Sequence, residues 1–175
     1  YADLMAAAHA DAVHGAEICR DLQDRLVMIA RVSDAGAFVN TNALTLKRSH
    51  GDYSVMQLLY DGSEIKAVLD FVNAGEVPIA WELIRSYSYM DCTFNAARLA
   101  AYTNEYRRYA EVSMDDLRYM PYLYLGQLLS STYGYKQYLQ TGDEELLAFG
   151  RWRTEMCRYL IANAGEVSAE LVRLA

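Results

Sequence analysis

Apolar positions Leu4, Ala8, Val13, Ile18, Leu22, Leu26 and Ile29 recur at steps of mostly three to five residues, the interval that lines one face of a helix. The pattern predicts an amphipathic helix over the first thirty residues, with this stripe buried. Ser33-Asp34-Ala35-Gly36 is a cluster of turn formers, and Thr41 to Leu46 reads as a short connecting element. The run HGDYSVMQLLYDGSEIKAVLDF then reads as loop, strand, turn, strand. Met56 to Tyr60 is mostly apolar, Asp61-Gly62 is a hairpin turn signal, and Ile65 to Leu69 is a second apolar run. Helices follow: about Ile79 to Met90, about Phe94 to Tyr109, a long tract from about Met114 to Leu139, about Asp143 to Ala162, and a short one after Gly165. Ser113 with Asp115 and Asp116 resembles an N-cap with acids in the first turn, and Thr141-Gly142-Asp143 places a stop and a new start together. Pro121 predicts a kink or a new start. The fold class expected is α+β, predominantly α-helical, with a small β-hairpin.

At 175 residues the chain suits a single domain, 1–175, and a domain of this size buries roughly 70% of its unfolded surface. A formal charge of −7, with the basic residues scattered, argues against a nucleic-acid partner. A cationic small molecule is the better electrostatic match, although an acidic, solvated surface accounts for the charge as simply. Asp, His, Glu and Arg interrupt the first thirty residues, so they form neither a signal peptide nor a membrane span, and no membrane partner is expected. Cys19, Cys92 and Cys157 are far apart and odd in number, which indicates neither a disulfide framework nor a metal site; a reducing cytoplasm is the default compartment. His9 and His14 are five apart, a spacing that does not favour a shared metal.

The chemistry concentrates in His50-Gly51-Asp52, Gln57 and Val68-Leu69-Asp70-Phe71. Two carboxylates and an amide supply what phosphoryl transfer needs as a base and metal ligands. Because Asp52 and Asp70 lie at opposite ends of one hairpin, its pairing should bring them together. This ordered set resembles the aminoglycoside phosphotransferase and choline kinase-like family, whose loop runs His-Gly-Asp, four variable residues and Asn, followed by a hairpin ending in an apolar-Asp-aromatic triplet. Here Gln57 stands in place of the Asn. Gly75, Pro78 and Trp81-Glu82-Leu83 look like the family's stretch that opens the next helix.

The resemblance implies the C-terminal lobe of a protein-kinase-like fold, using Mg²⁺ with ATP or GTP to phosphorylate a small-molecule hydroxyl. Asp52 would be the catalytic aspartate, with His50 as structural support of its loop. Asp70 and Gln57 would hold the metal and nucleotide, and Glu82 would accept hydrogen bonds from the loop. Asp52, Asp70, Gln57 and Glu82 each have a plainer reading: an Asx-turn residue, a turn-capping acid, a hairpin hydrogen-bonder and a first-turn helix acid respectively. Kinase-like nucleotide sites also use a β-rich N-terminal lobe with a loop over the phosphates and a strand lysine. The residues before His50 read as helix, so that lobe is expected to be a separate partner. The alternative is a non-catalytic, pseudokinase-like interaction or regulatory domain. Among the fifteen tyrosines, Tyr119, Tyr122, Tyr124, Tyr133, Tyr135 and Tyr138, with Trp152, could wall an acceptor pocket, though aromatics at helical spacing are usually core.

Overall fold

The computed structural model describes residues 1–34, 39–90 and 94–175. Within them the apolar stripe that opens the chain forms two helices, α1 (Ala2–His9) and α2 (Gly15–Asp34), instead of one. The break has a local cause. The Asp11 carboxylate accepts hydrogen bonds from the backbone N–H of Val13 (3.0 Å) and His14 (2.7 Å), which draws the chain away from the helical ladder. A Cβ at Gly15 would collide with the carbonyl oxygen of Ala8, so the second helix can start this close only with glycine. The interruption resets the helical phase. Ile18, Cys19, Leu22, Arg25 and Met28 are buried on α2, whereas Val13 and Leu26, expected in the stripe, are exposed. Ser33 and Asp34, expected in a turn, continue α2, and the rest of that turn cluster lies outside the described residues.

The chain divides into two compact units. The first comprises Tyr1–Phe38 and Leu125–Asn163 and holds α1, α2, the end of α5 (Met114–Ser130), α6 (Tyr135–Thr141) and much of α7 (Glu144–Leu174). Its core gathers Ala8, Ile18, Cys19, Leu22, Tyr135, Tyr138 and Leu147. Arg25 is fully buried there, yet its guanidinium donates to Thr154 Oγ1 (2.9 Å) and to the carbonyls of Leu128 and Ser131 (2.7 Å to the latter). These carbonyls are among those a helix C-terminus leaves without partners. The tract expected to run from Met114 to Leu139 therefore ends at Ser130 and restarts at Tyr135.

The second unit, Val39–Tyr124 with Ala164–Ala175, carries the strands β1 (Leu46–Ser49), β2 (Leu58–Asp61), β3 (Glu64–Val68) and β4 (Gly75–Pro78), and the helices α3 (Ile79–Met90) and α4 (Ala96–Arg107). Strands β2 and β3 form the expected antiparallel hairpin, with Asp61 opposite Glu64 and Gly62 at φ 60° in the turn. A second antiparallel pair, β1 with β4, aligns Leu46 with Pro78 and Ser49 with Gly75. At the start of α5, Ser113 Oγ and Asp116 cap one another, and Asp116 Oδ1 also accepts from the Thr45 backbone (2.9 Å). The helix runs on through Pro121. Gly165 does not break α7: a Cβ there would stand only 3.6 Å from the Tyr122 hydroxyl, and Ser168 Oγ donates to the Arg118 carbonyl (2.9 Å). The described residues are thus mostly helical with two small antiparallel β-pairs, an α+β arrangement. No helix among the described residues is long and apolar enough to cross a membrane.

Candidate functional site

Strand β1 delivers the chain into the loop His50-Gly51-Asp52-Tyr53, and several contacts then sew this loop to the segment after β3. Gly51 has φ 76°, and a Cβ there would collide with the carbonyl of Asn73, so both the conformation and the close approach require glycine. The His50 ring is buried. Its Nε2–H donates to the Leu69 carbonyl (2.5 Å), and it packs against Phe71 with ring centroids 4.6 Å apart. Its Nδ1 is buried with no hydrogen-bond partner among the described residues. The Leu69 backbone N–H reaches the Gln57 carbonyl (2.8 Å), closing the base of the hairpin. The hairpin therefore joins the stretch around Gln57 to the stretch around Asp70.

Asp70 is exposed and sits in the left-handed region at φ 60°, ψ 60°, an uncommon conformation for a residue with a side chain. Its carboxylate makes no hydrogen bond or ion pair among the described residues. Gln57 is half-buried, and its Oε1 accepts from the hydroxyl of buried Ser54. An amide oxygen has two lone pairs, so one remains. Both groups are hard oxygen donors of the kind Mg²⁺ takes. No three His, Cys, Asp or Glu among the described residues cluster as a metal cage.

Helix α3 grips the loop from the other side. Glu82 Oε1 accepts from the backbone N–H of Gly51 (3.1 Å) and Tyr53 (3.3 Å), while its Oε2 is buried without a hydrogen-bond partner among the described residues. Burial pushes the Glu82 carboxyl above its ordinary range, against the pull of the two N–H groups. One turn further on, Arg85 pairs with the Asp52 carboxylate and donates to the Tyr53 carbonyl (3.3 Å). Its guanidinium lies 5.6 Å from the ring centre of Trp81 and 5.1 Å from that of Tyr89. Sequence reasoning missed Arg85. The spacing Trp81, Arg85, Tyr89, four residues apart each time on the helix that follows the hairpin, was the signal that could have found it. A cavity of about 510 Å³ opens beside the loop, lined in part by Arg48, His50, Phe71 and Glu76.

Other expectations resolve differently. Tyr124, Tyr135 and Tyr138 are buried, so they serve as core and do not wall a pocket; Tyr133 is exposed. Asp116 is buried in the α5 cap, Asp115 pairs with Arg118 and Glu144 lies 3.3 Å from His14, so these acids are engaged within the chain. Asp91 and Cys92 lie outside the described residues. The His9 ring donates from Nδ1–H to the Met5 carbonyl of its own helix (2.7 Å), and His14 faces Glu17, Glu144 and Arg151.

Compared with known proteins, residues 5–112 match the model of the phosphotransferase enzyme family, a span that includes the whole loop, the hairpin and α3. No curated protein and no solved structure matches the chain.

Proposed function

The chain belongs to the phosphotransferase enzyme family, and from that premise we propose that it is the C-terminal, catalytic lobe of a kinase-like enzyme that moves the γ-phosphoryl group of ATP or GTP to a small-molecule hydroxyl. The observation that carries this reading is the loop geometry. The Asp52 loop is held by Glu82 and Arg85 and tied through His50 to the segment bearing Asp70, whose carboxylate is unspent.

In this reading Asp52 orients the acceptor hydroxyl and takes its proton. A modest base suffices, because phosphoryl transfer depends mainly on alignment and on neutralising charge. Asp70 and Gln57 would hold Mg²⁺, which neutralises the phosphate oxygens as the bond to the leaving group breaks. Asp70 is already exposed and, among the described residues, unpaired for this, while Gln57 must share its oxygen with Ser54. His50 fixes the backbone between the two acids. A separate, strand-rich lobe would supply the loop over the phosphates. Leu59, Tyr60 and Ile65 on the hairpin and Phe71 beyond it are exposed apolar side chains suited to such a lobe. One observation favours the non-catalytic alternative: the Gln57 oxygen, at the position of the family's Asn, is engaged within the protein.

The test is transfer of labelled γ-phosphate from ATP or GTP to a panel of hydroxylated amines and neutral sugars by the full-length protein. The expected result is Mg²⁺-dependent labelling, strongest with amines, with Gln57→Ala raising the Mg²⁺ concentration needed for half-maximal turnover. Exclusive labelling of neutral sugars would remove the preference for a cationic acceptor. An unchanged Mg²⁺ requirement would return Gln57 to a hairpin role. No labelling with any acceptor would favour the interaction domain.

A further inference from the structure

Helix α3 presents to the candidate loop a device that the base-and-metal scheme does not include. We propose that Arg85 is the positioning residue of Asp52: it anchors one carboxylate oxygen and leaves the other oxygen for the acceptor. The inference rests on the reading of Asp52 as the base for its purpose, but its geometry stands apart from that reading.

Three observations converge. The guanidinium contacts Asp52 Oδ1 through one nitrogen and the Tyr53 carbonyl through the other (3.3 Å), so it fixes the side chain of one loop residue and the backbone of the next. The Oδ2 atom of Asp52 makes no hydrogen bond among the described residues, and 27% of that side chain remains exposed against 11% of Arg85. Trp81 and Tyr89 flank the guanidinium at 5.6 and 5.1 Å, one turn before it and one turn after, so a long and otherwise mobile side chain is held by aromatic faces. Glu82 adds the opposite polarity, accepting from the N–H of Gly51 and Tyr53. Two residues a helical turn apart thereby hold three consecutive loop residues by donor, acceptor and charge.

The chemistry follows from the charge. A carboxylate beside a fixed cation gives up some basicity, which would harm a reaction limited by early proton removal. It costs little in a loose phosphoryl transfer, where the proton leaves late and alignment dominates. Shielding makes the pair more than a surface contact: fully exposed ion pairs contribute almost nothing, whereas breaking a largely buried one strands the partner. The titratable groups around it are His50 and Tyr53 in the loop and Glu82 on α3, with Tyr102 and Tyr106 of α4 near Glu82.

The experiment follows the ¹³C carboxylate resonance of Asp52 through a pH titration of the chain, assigned by its loss in Asp52→Asn. In Arg85→Gln the midpoint should rise by about one pH unit or more, and in Arg85→Lys it should stay near that of the unaltered chain. Equal midpoints in the unaltered chain and Arg85→Gln would overturn the proposal. Should Arg85→Gln fail to fold, the Arg85 guanidinium protons of the unaltered chain decide: they should shift with the Asp52 midpoint, and independence overturns the idea. In the full-length enzyme, Arg85→Gln should lower kcat about tenfold or more with little change in KM for Mg-ATP, and Arg85→Lys should recover part of it. A moved midpoint in a protein that transfers no phosphate would support the Arg85 contact and count against the phosphotransferase reading alone.

Discussion

Glu82 places one carboxylate oxygen on two loop N–H groups and buries the other with no partner among the described residues. Burial therefore raises its carboxyl above the unfolded value of 4.5. Between the unfolded and folded midpoints the folded chain binds more protons than the unfolded one, so stability falls as pH rises through that window. It is highest below the unfolded midpoint. Glu82→Gln keeps an oxygen acceptor for Gly51 and Tyr53 but cannot titrate. Urea unfolding at a series of pH values should show the variant gaining stability relative to the unaltered chain as pH rises from about 4 upward. Parallel pH profiles would mean that Glu82 ionises in the folded chain as it does in the unfolded one. At this scale the sequence exposes chemistry through order: His50, Asp52, Asp70 and Glu82 could be singled out because they recur in a known sequence arrangement. Arg85 could not. A helical arginine reads as a solvated charge until the chain returns Asp52 to its side.

The hairpin and α3 are legible as elements because their signals are local: a Gly62 turn between apolar runs, and an apolar face of regular spacing. Pairing of β1 with β4 was not legible. Its strands, Leu46–Ser49 and Gly75–Pro78, are short, carry no apolar–polar alternation in their residues and are joined only through everything between them. The split of the first helix was hidden for a different reason, since the capping by Asp11 competes with a periodicity that runs on past it. Continuity of α7 through Gly165 was not legible either, because a lone glycine reads as a stop whether or not the helix runs through it. The loop element makes a measurable demand of its own. Gly51 and Gly62 both have positive φ, but a Cβ at Gly62 meets nothing within 4 Å, whereas one at Gly51 strikes the Asn73 backbone. Gly62→Ala should cost about 1 kcal/mol of stability from conformation alone, and Gly51→Ala distinctly more. Chemical denaturation of the two variants checks this. Equal losses would mean that the loop and the Asn73 segment can separate without cost.

Over the whole molecule, an acidic chain with scattered bases fits a small cationic acceptor better than a polyanion, yet several acids are already engaged. Asp116 caps α5, Asp21 pairs with Arg158 and Glu17 with Arg151. Those ion pairs already cancel within the net charge of −7, so the acceptor's identity depends on groups near Asp52 more than on total charge. The family match covers the loop, the hairpin and α3, so the claim that unites these scales is that Asp52 acts on an acceptor hydroxyl. Its most direct test is the rate of γ-phosphate transfer by the full-length protein carrying Asp52→Asn, a change that keeps the side chain's shape and removes the proton acceptor. Turnover should fall by roughly 10² to 10⁴ while Mg-ATP affinity, measured separately by calorimetry, changes little; turnover preserved within a factor of a few would contradict the account and leave Asp52 a structural residue of its loop.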